Sequence, residues 1–167
     1  ATSQGSPIRN VWIFDAHTGT GSRVSSLPGE ERFPRWSPDG HVLYYTNRTD
    51  DEVRIIAVRD GGRPEVIFTQ KQTSLLLHQV TPDNNYLLFS RVSRQSVDCG
   101  LYRLSVQGGK AAEDPECIIK SNVGAIYARI TPNGKWVVYT GARAQLADRY
   151  PHRGRRVRTP PEGIHRA

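Results

Sequence analysis

The chain has 167 residues, with 23 Lys and Arg against 16 Asp and Glu and a net charge of +7. That length suits one domain with a sizeable core. The excess charge is uneven: residues 142–167 carry seven arginines and two acids, a net +5, and the rest of the chain carries only +2. A uniformly basic nucleic-acid binder is therefore excluded for the body, and nucleic acid enters only through the tail. No apolar run approaches the roughly 20 residues that cross a bilayer as a helix. The longest runs, such as Val42–Tyr45 and Tyr86–Phe89, have strand length. There is no Met, even at position 1, so the chain reads as a processed or excised product.

In chain order, residues 1–9 form an N-terminal extension without a pattern. Val11–Phe14 predicts a strand, followed by a turn around Thr18-Gly19 and a weaker strand near Arg23–Ser26. Three segments then align without a gap over eleven residues: Trp36–Thr46, Val80–Ser90 and Ile130–Thr140, at offsets of 44 and 50 residues. That spacing is the period of a four-stranded propeller blade.

Each copy opens on a turn: Ser37-Pro38-Asp39-Gly40, Thr81-Pro82-Asp83-Asn84 and Thr131-Pro132-Asn133-Gly134. Pro pre-sets φ at the second position, Asp or Asn suits the third, and Gly or Asn tolerates positive φ at the fourth. Five β-branched, aromatic and apolar residues follow each turn, nearly continuous rather than alternating. A strand covered on both faces has that composition. The bulky residue before each turn (Trp36, Val80, Ile130) is expected to end a strand inside the core.

Between the copies lie further strands. Arg54–Val58 and Glu65–Thr69 flank Asp60-Gly61-Gly62; Leu101–Val106 and Cys117–Lys120 flank Gly108-Gly109. Glycine pairs of this kind mark hairpins. The predicted fold is all-β, a partial β-propeller of about three four-stranded antiparallel blades within residues 10–141. It divides into a half-blade at 10–27, a blade at 33–69, a blade at 77–120 and a half-blade at 127–140. The pattern stops at Gly141. The Arg- and Pro-rich segment 142–167 reads as a disordered basic tail, with non-native sequence or a tether to an acidic surface as alternatives.

The repeats resemble the TolB-like, or WD40-like, propeller family marked by W-S-P-D-G. The best match is Phe33-Pro-Arg-Trp-Ser-Pro-Asp-Gly40 with Tyr44-Tyr45-Thr46 downstream; the Asp60-Gly61-Gly62 turn is similar too. The second copy departs by Thr81 and Asn84, the third by Thr131 and Asn133, and both keep the turn chemistry. The resemblance implies a recognition platform, standing alone in the cell envelope or appended to another module. It could then be the gating domain of a prolyl-oligopeptidase or dipeptidyl-peptidase type serine peptidase, or the sensor of a kinase or DNA-binding regulator. It also implies an extracytoplasmic location. Propellers close with four to eight blades, so about three blades imply a fragment, or self-association through open blade edges.

Residues that could carry chemistry are sparse. There is no Gly-x-Ser-x-Gly elbow, Walker loop, His-Glu-x-x-His or Cys-x-x-Cys. His17, His41, His78, His152 and His165 are scattered and read as structural or exposed. Asp39 and Asp83 are turn residues rather than catalytic acids. Asp50-Asp51-Glu52 reads as a solvated loop beside Arg48 and Arg54, with a Ca²⁺ site as the weaker alternative. Trp12, Trp36 and Trp136 are expected in the core. Cys99 and Cys117 read as two small buried hydrophobes, with a cross-strand disulfide as the alternative. No catalytic, cofactor-binding or metal-ligating residue is assigned, no cofactor is implied, and the expected partner is a protein or peptide.

Overall fold

The computed structural model describes residues 9–92, 99–107, 114–120, 124–142 and 165–166, of which 142, 165 and 166 by backbone alone. Among them the regular structure is β. Strands β1 (Trp12–Phe14) and β2 (Gly21–Arg23) form a hairpin. Strands β3 (Glu30–Trp36), β4 (Val42–Arg48), β5 (Glu52–Arg59) and β6 (Glu65–Lys71) form one four-stranded sheet. Strands β7 (Ser74–Val80), β8 (Tyr86–Val92), β9 (Leu101–Ser105) and β10 (Glu116–Ile119) form a second. Strands β11 (Gly124–Ile130), β12 (Trp136–Ala142) and β13 (His165–Arg166) form a third.

All strand pairs are antiparallel, and in the two four-stranded sheets spatial order follows chain order. The first strands of successive sheets lie side by side, β3 against β7 and β7 against β11. The sheets therefore radiate from a shared inner edge, which is the geometry of propeller blades.

The continuous apolar strands now have their reason. Side chains alternate across β4, and both of its faces are covered. Tyr44 joins Val53, Ile55 and Ala57 against Leu75, Leu77, Leu87, Phe89 and Leu104 of the next sheet. Leu43 and Tyr45 point the other way, with Ile56 and Val58, onto Val11 beside the hairpin. A third cluster joins Leu101 to Ala125, Ala128 and Val137. Each fully buried Leu or Ile contributes about 2 kcal/mol, so these inter-sheet layers are the main source of cohesion.

Several expectations are corrected. Each inner strand starts three residues before the expected boundary, at Glu30, Ser74 and Gly124 rather than 33, 77 and 127. Those residues lack a uniform apolar pattern because one side of an inner strand faces away from the sheet-to-sheet core. Strand β2 sits at 21–23 rather than 23–26 because Asp15 closes the hairpin early. Its Oδ1 accepts the amides of His17 and Thr18 at 2.8 Å each, and its carbonyl accepts Gly19 N–H at 2.9 Å.

The tryptophans are not core residues: Trp12, Trp36 and Trp136 are 54%, 52% and 39% exposed. Trp12 and Trp136 lie on incomplete sheets, and Trp36 ends an inner strand beyond the covered stretch. Its repeat partner Val80 is buried and Ile130 is half-buried.

Cys99 and Cys117 form a disulfide, with Cα atoms 5.9 Å apart. Pairing of Ile119 with Leu101 brings β10 beside the segment that enters β9, a register that spacing alone could not supply. The expected Gly108-Gly109 turn, most of the N-terminal extension and residues 143–164 lie outside the described residues. Within the tail, His165–Arg166 differs from the expected disorder. Its backbone pairs with Val137 and Trp136 on the free edge of β12, where unpaired amides and carbonyls accept a further strand.

Candidate binding face

The three turns stand at one end of the inner strands and are built alike. Ser37 Oγ donates to Asp39 Oδ1 at 2.6 Å and accepts Val42 N–H at 2.9 Å; Asp39 Oδ1 also accepts His41 N–H at 3.1 Å. Thr81 donates to Asp83 at 2.5 Å and accepts Tyr86 N–H at 3.0 Å. Thr131 donates to Asn133 at 2.6 Å and accepts Trp136 N–H at 3.1 Å. Gly40, Asn84 and Gly134 hold φ of 77°, 61° and 71°, where a side chain beyond Gly or Asn is strained. The Ser37 hydroxyl, then the His41 amide, holds the Asp39 carboxyl below its usual range. The Thr81 hydroxyl does the same for Asp83. These aspartates are committed to the turns.

Just before the turns, each inner strand carries a bulge: between Arg32 and Arg35, between Leu77 and Gln79, and between Ile126 and Arg129. Phe33 and Tyr127 occupy equivalent repeat positions in the outer two, and both have φ of 56°. Left-handed backbone costs a non-glycine residue about 1–2 kcal/mol, and a bulge re-aims the side chains around it. Here the result is an exposed Tyr127, at 69%, and two arginines drawn onto the middle strand.

Arg35 Nε donates to the His78 carbonyl at 2.6 Å, and Arg129 Nη1 donates to the same oxygen at 3.2 Å. Each guanidinium also holds the carbonyl before it, Pro34 at 2.6 Å and Ala128 at 2.9 Å. Gln79, the equivalent residue in β7, accepts Ile130 N–H at 3.1 Å. Burial, then the charge of Arg129, lowers the pKa of Arg35. Among the described residues no carboxylate pairs with either arginine.

Behind the arginines, His78 and Ser90 are both buried, with His78 Nε2 and Ser90 Oγ 2.9 Å apart. The distance suits a base and a nucleophile, but the donors do not. Ser90 Oγ lies 2.6 Å from the Ala125 carbonyl and 3.0 Å from that of Gly100. Its one hydrogen goes to a carbonyl, so it accepts from His78 Nε2–H. Burial, then the charges of Arg35 and Arg129, lowers the His78 pKa to about 4. The pair is a neutral latch between the second and third sheets.

A second latch joins the N-terminal hairpin to β3. Glu31 is 2% exposed. Its carboxylate accepts Val11 N–H at 2.9 Å and the Ser25 hydroxyl. Beside it lies a cleft of about 540 Å³ between Arg9–Trp12 and Glu31–Pro34.

The other residues singled out in the sequence do not gather. His17 and His41 are exposed at turns, His41 on Asp60 at 2.8 Å. His152 lies outside the described residues. Glu52 of the acidic loop holds Arg54 at 2.6 Å. Among the described residues no three His, Cys, Asp or Glu side chains converge as metal ligands, and no helix is long and apolar enough to cross a membrane.

Arg35, Arg129, Tyr127 and Glu31 were not singled out. The repeat carried the signal. Extending the offsets backwards aligns Arg35, Gln79 and Arg129 in one column and sets Glu31 against Leu75 and Ala125 in another.

Radiating four-stranded antiparallel sheets whose inner strands lie side by side define a β-propeller segment. The fold is that of TolB-type propellers. TolB from Acinetobacter baumannii matches with a TM-score of 0.65 at 17% identity, over 81% of this chain and 33% of that one. Hydrazine synthase from Kuenenia stuttgartiensis matches with a TM-score of 0.52 at 17% identity, over 78% of this chain and 43% of that one. The chain thus spans a third of the TolB and under half of the hydrazine synthase chain. At these identities the likeness is one of fold. No protein-family model and no curated protein matches the sequence.

Proposed function

We propose that this propeller segment is a non-catalytic platform that binds a protein or peptide. The observation that carries the reading is the exposure of Trp36 and Tyr127 on two of the three inner strands, 52% and 69%, while the sheets' own cores are filled. Rigid aromatics give large contact area at low entropic cost and dominate recognition surfaces. The sealed His78–Ser90 pair supports a role without chemistry. The Cys99–Cys117 bridge supports an extracytoplasmic setting, since disulfides persist in oxidising compartments.

The test is selection of displayed random peptides on the full 167-residue chain, with affinities by fluorescence anisotropy. Tyr127→Ala or Trp36→Ala is expected to weaken the selected peptides about tenfold or more with an unchanged melting curve. Peptides indifferent to both changes, or hydrolytic turnover abolished by a single polar substitution, would overturn the reading.

A further inference from the structure

We infer that Arg35 and Arg129 form a two-arginine seat for a carboxylate, supplied by the peptide or protein that occupies the inner-strand face. The inference deepens the platform reading and rests on it for the identity of the ligand. Its own basis is the convergence of two guanidiniums on one neutral oxygen.

A peptide carbonyl can accept from both cations, at 2.6 and 3.2 Å, without cancelling either charge. Folding therefore places like charges side by side, an arrangement that costs stability unless an anion joins them. Several arginines elsewhere are handled differently. Arg32, Arg54 and Arg103 each bond a glutamate, at 2.6, 2.6 and 2.7 Å.

The donors that remain are well placed. Arg35 spends Nε and Nη1 on carbonyls, and Arg129 spends Nη1. Arg35 Nη2 and Arg129 Nε and Nη2 have no hydrogen-bond partner among the described residues, and Arg35 Nη2 is not a buried, unsatisfied atom. Arg129 is exposed and Arg35 half-buried. Two partly held guanidinium forks are preorganised, so less side-chain entropy is lost when an oxygen pair docks.

The anion is a carboxylate because that is the anion peptides and proteins carry and the one whose planar pair of oxygens matches a guanidinium fork. It can come from a chain terminus or from Asp or Glu. The repeat supports a recognition role over a structural one. The middle copy has Gln79 in the same column and uses it for an ordinary inter-strand bond to Ile130, so the fold itself does not require charge there.

The test uses the isotope-labelled full chain and NMR signals of the arginine Nε–Hε groups. The minimal probe is sodium acetate, exchanged against chloride at constant ionic strength. Three forms of one aromatic pentapeptide follow: free C-terminus, amidated C-terminus, and amidated with one Asp. Acetate is expected to move the Arg35 and Arg129 signals of the native chain, and to leave the remaining arginine signal of Arg35→Gln and of Arg129→Gln in place. A carboxylate-bearing peptide is expected to bind about tenfold more tightly than the acid-free amide, equivalent to about 1.4 kcal/mol. The preferred form identifies the source of the carboxylate.

Arg129→Gln is the safer variant because Arg129 is exposed, and Arg129→Lys keeps the charge while losing the fork, so it should retain only part of the preference. Peptides that bind with no preference for a carboxylate would overturn the seat and leave the platform standing. Acetate shifts without any peptide binding would support the seat and remove the platform. Acetate shifts of equal size in the native chain and the Gln variants would overturn the seat outright.

Discussion

The two ends of the described chain are both incomplete units, yet they are held in opposite ways. The β1–β2 hairpin leaves Trp12, Ile13 and Phe14 exposed and adds Val11 to a small apolar cluster. A buried carboxylate, Glu31, ties it down by taking the Val11 amide and the Ser25 hydroxyl. The β11–β12 pair instead buries Ala125, Ala128 and Val137 against the second sheet, and its buried polar link is the neutral His78–Ser90 latch. The first joint turns on a buried carboxylate; the second rests on apolar area and a neutral latch, with the Arg129 bond to the His78 carbonyl beside them. The charged joint fails when a partner is removed; the neutral joint fails when a proton is added.

Glu31→Ala should have the largest effect. It strands a buried amide and a buried hydroxyl, and losses at such charge-assisted contacts run to about 4 kcal/mol. The loss should be local. Hydrogen exchange should accelerate strongly at the Val11 and Val24 amides and hardly at all in β8. Uniform acceleration would show that the hairpin is not a separately held unit.

The neutral joint should carry the pH dependence. With a folded pKa of about 4 against about 6.5 unfolded, the unfolded chain takes up the His78 proton first as pH falls. Stability is therefore complete above about pH 6.5 and declines towards pH 4, by about 3 kcal/mol at most. Thermal melts across that window should show a steep decline in the native chain and a shallower one in His78→Gln. Equal slopes would mean that His78 is not buried as described.

Much of this was legible in the sequence, and the reason is the repeat. Three copies of one turn exposed the period, and the apolar runs after them marked the doubly covered strands β4 and β8; the same run in β12 is covered on one face only, with Val137 buried and Val138 57% exposed. Inner strands were harder because their outward residues follow no binary pattern. That is why Glu31, Arg35 and Tyr127 escaped notice while Pro38 and Asp83 did not. The same gap explains the tryptophans: residue type suggested burial, but exposure depends on which neighbouring sheet covers them. The Cys99–Cys117 bridge needed the β9–β10 register.

Ser90→Ala is expected to cost about 2 kcal/mol, since it leaves the buried Ala125 carbonyl without its donor. The effect should be read as faster exchange in β11 and not in β3. Loss of exchange protection in β3 as well would mean that the two joints are coupled.

The turns should give the smallest effect. Asp39→Ala, Asp83→Ala and Asn133→Ala should each cost about 1 kcal/mol in denaturant unfolding, because the three turns share the same hydroxyl and amide bonds. A single turn with a much larger cost would break the equivalence of the three units.

The most direct measurement is through-space proton contact between the inner strands, by NMR on the labelled full chain. If β3, β7 and β11 share one inner edge, the side chains of Arg35 and Arg129 both show contacts to the His78 backbone. Contacts from Arg35 to His78 without any from Arg129, or from neither, would contradict the convergent inner edge on which the binding face depends.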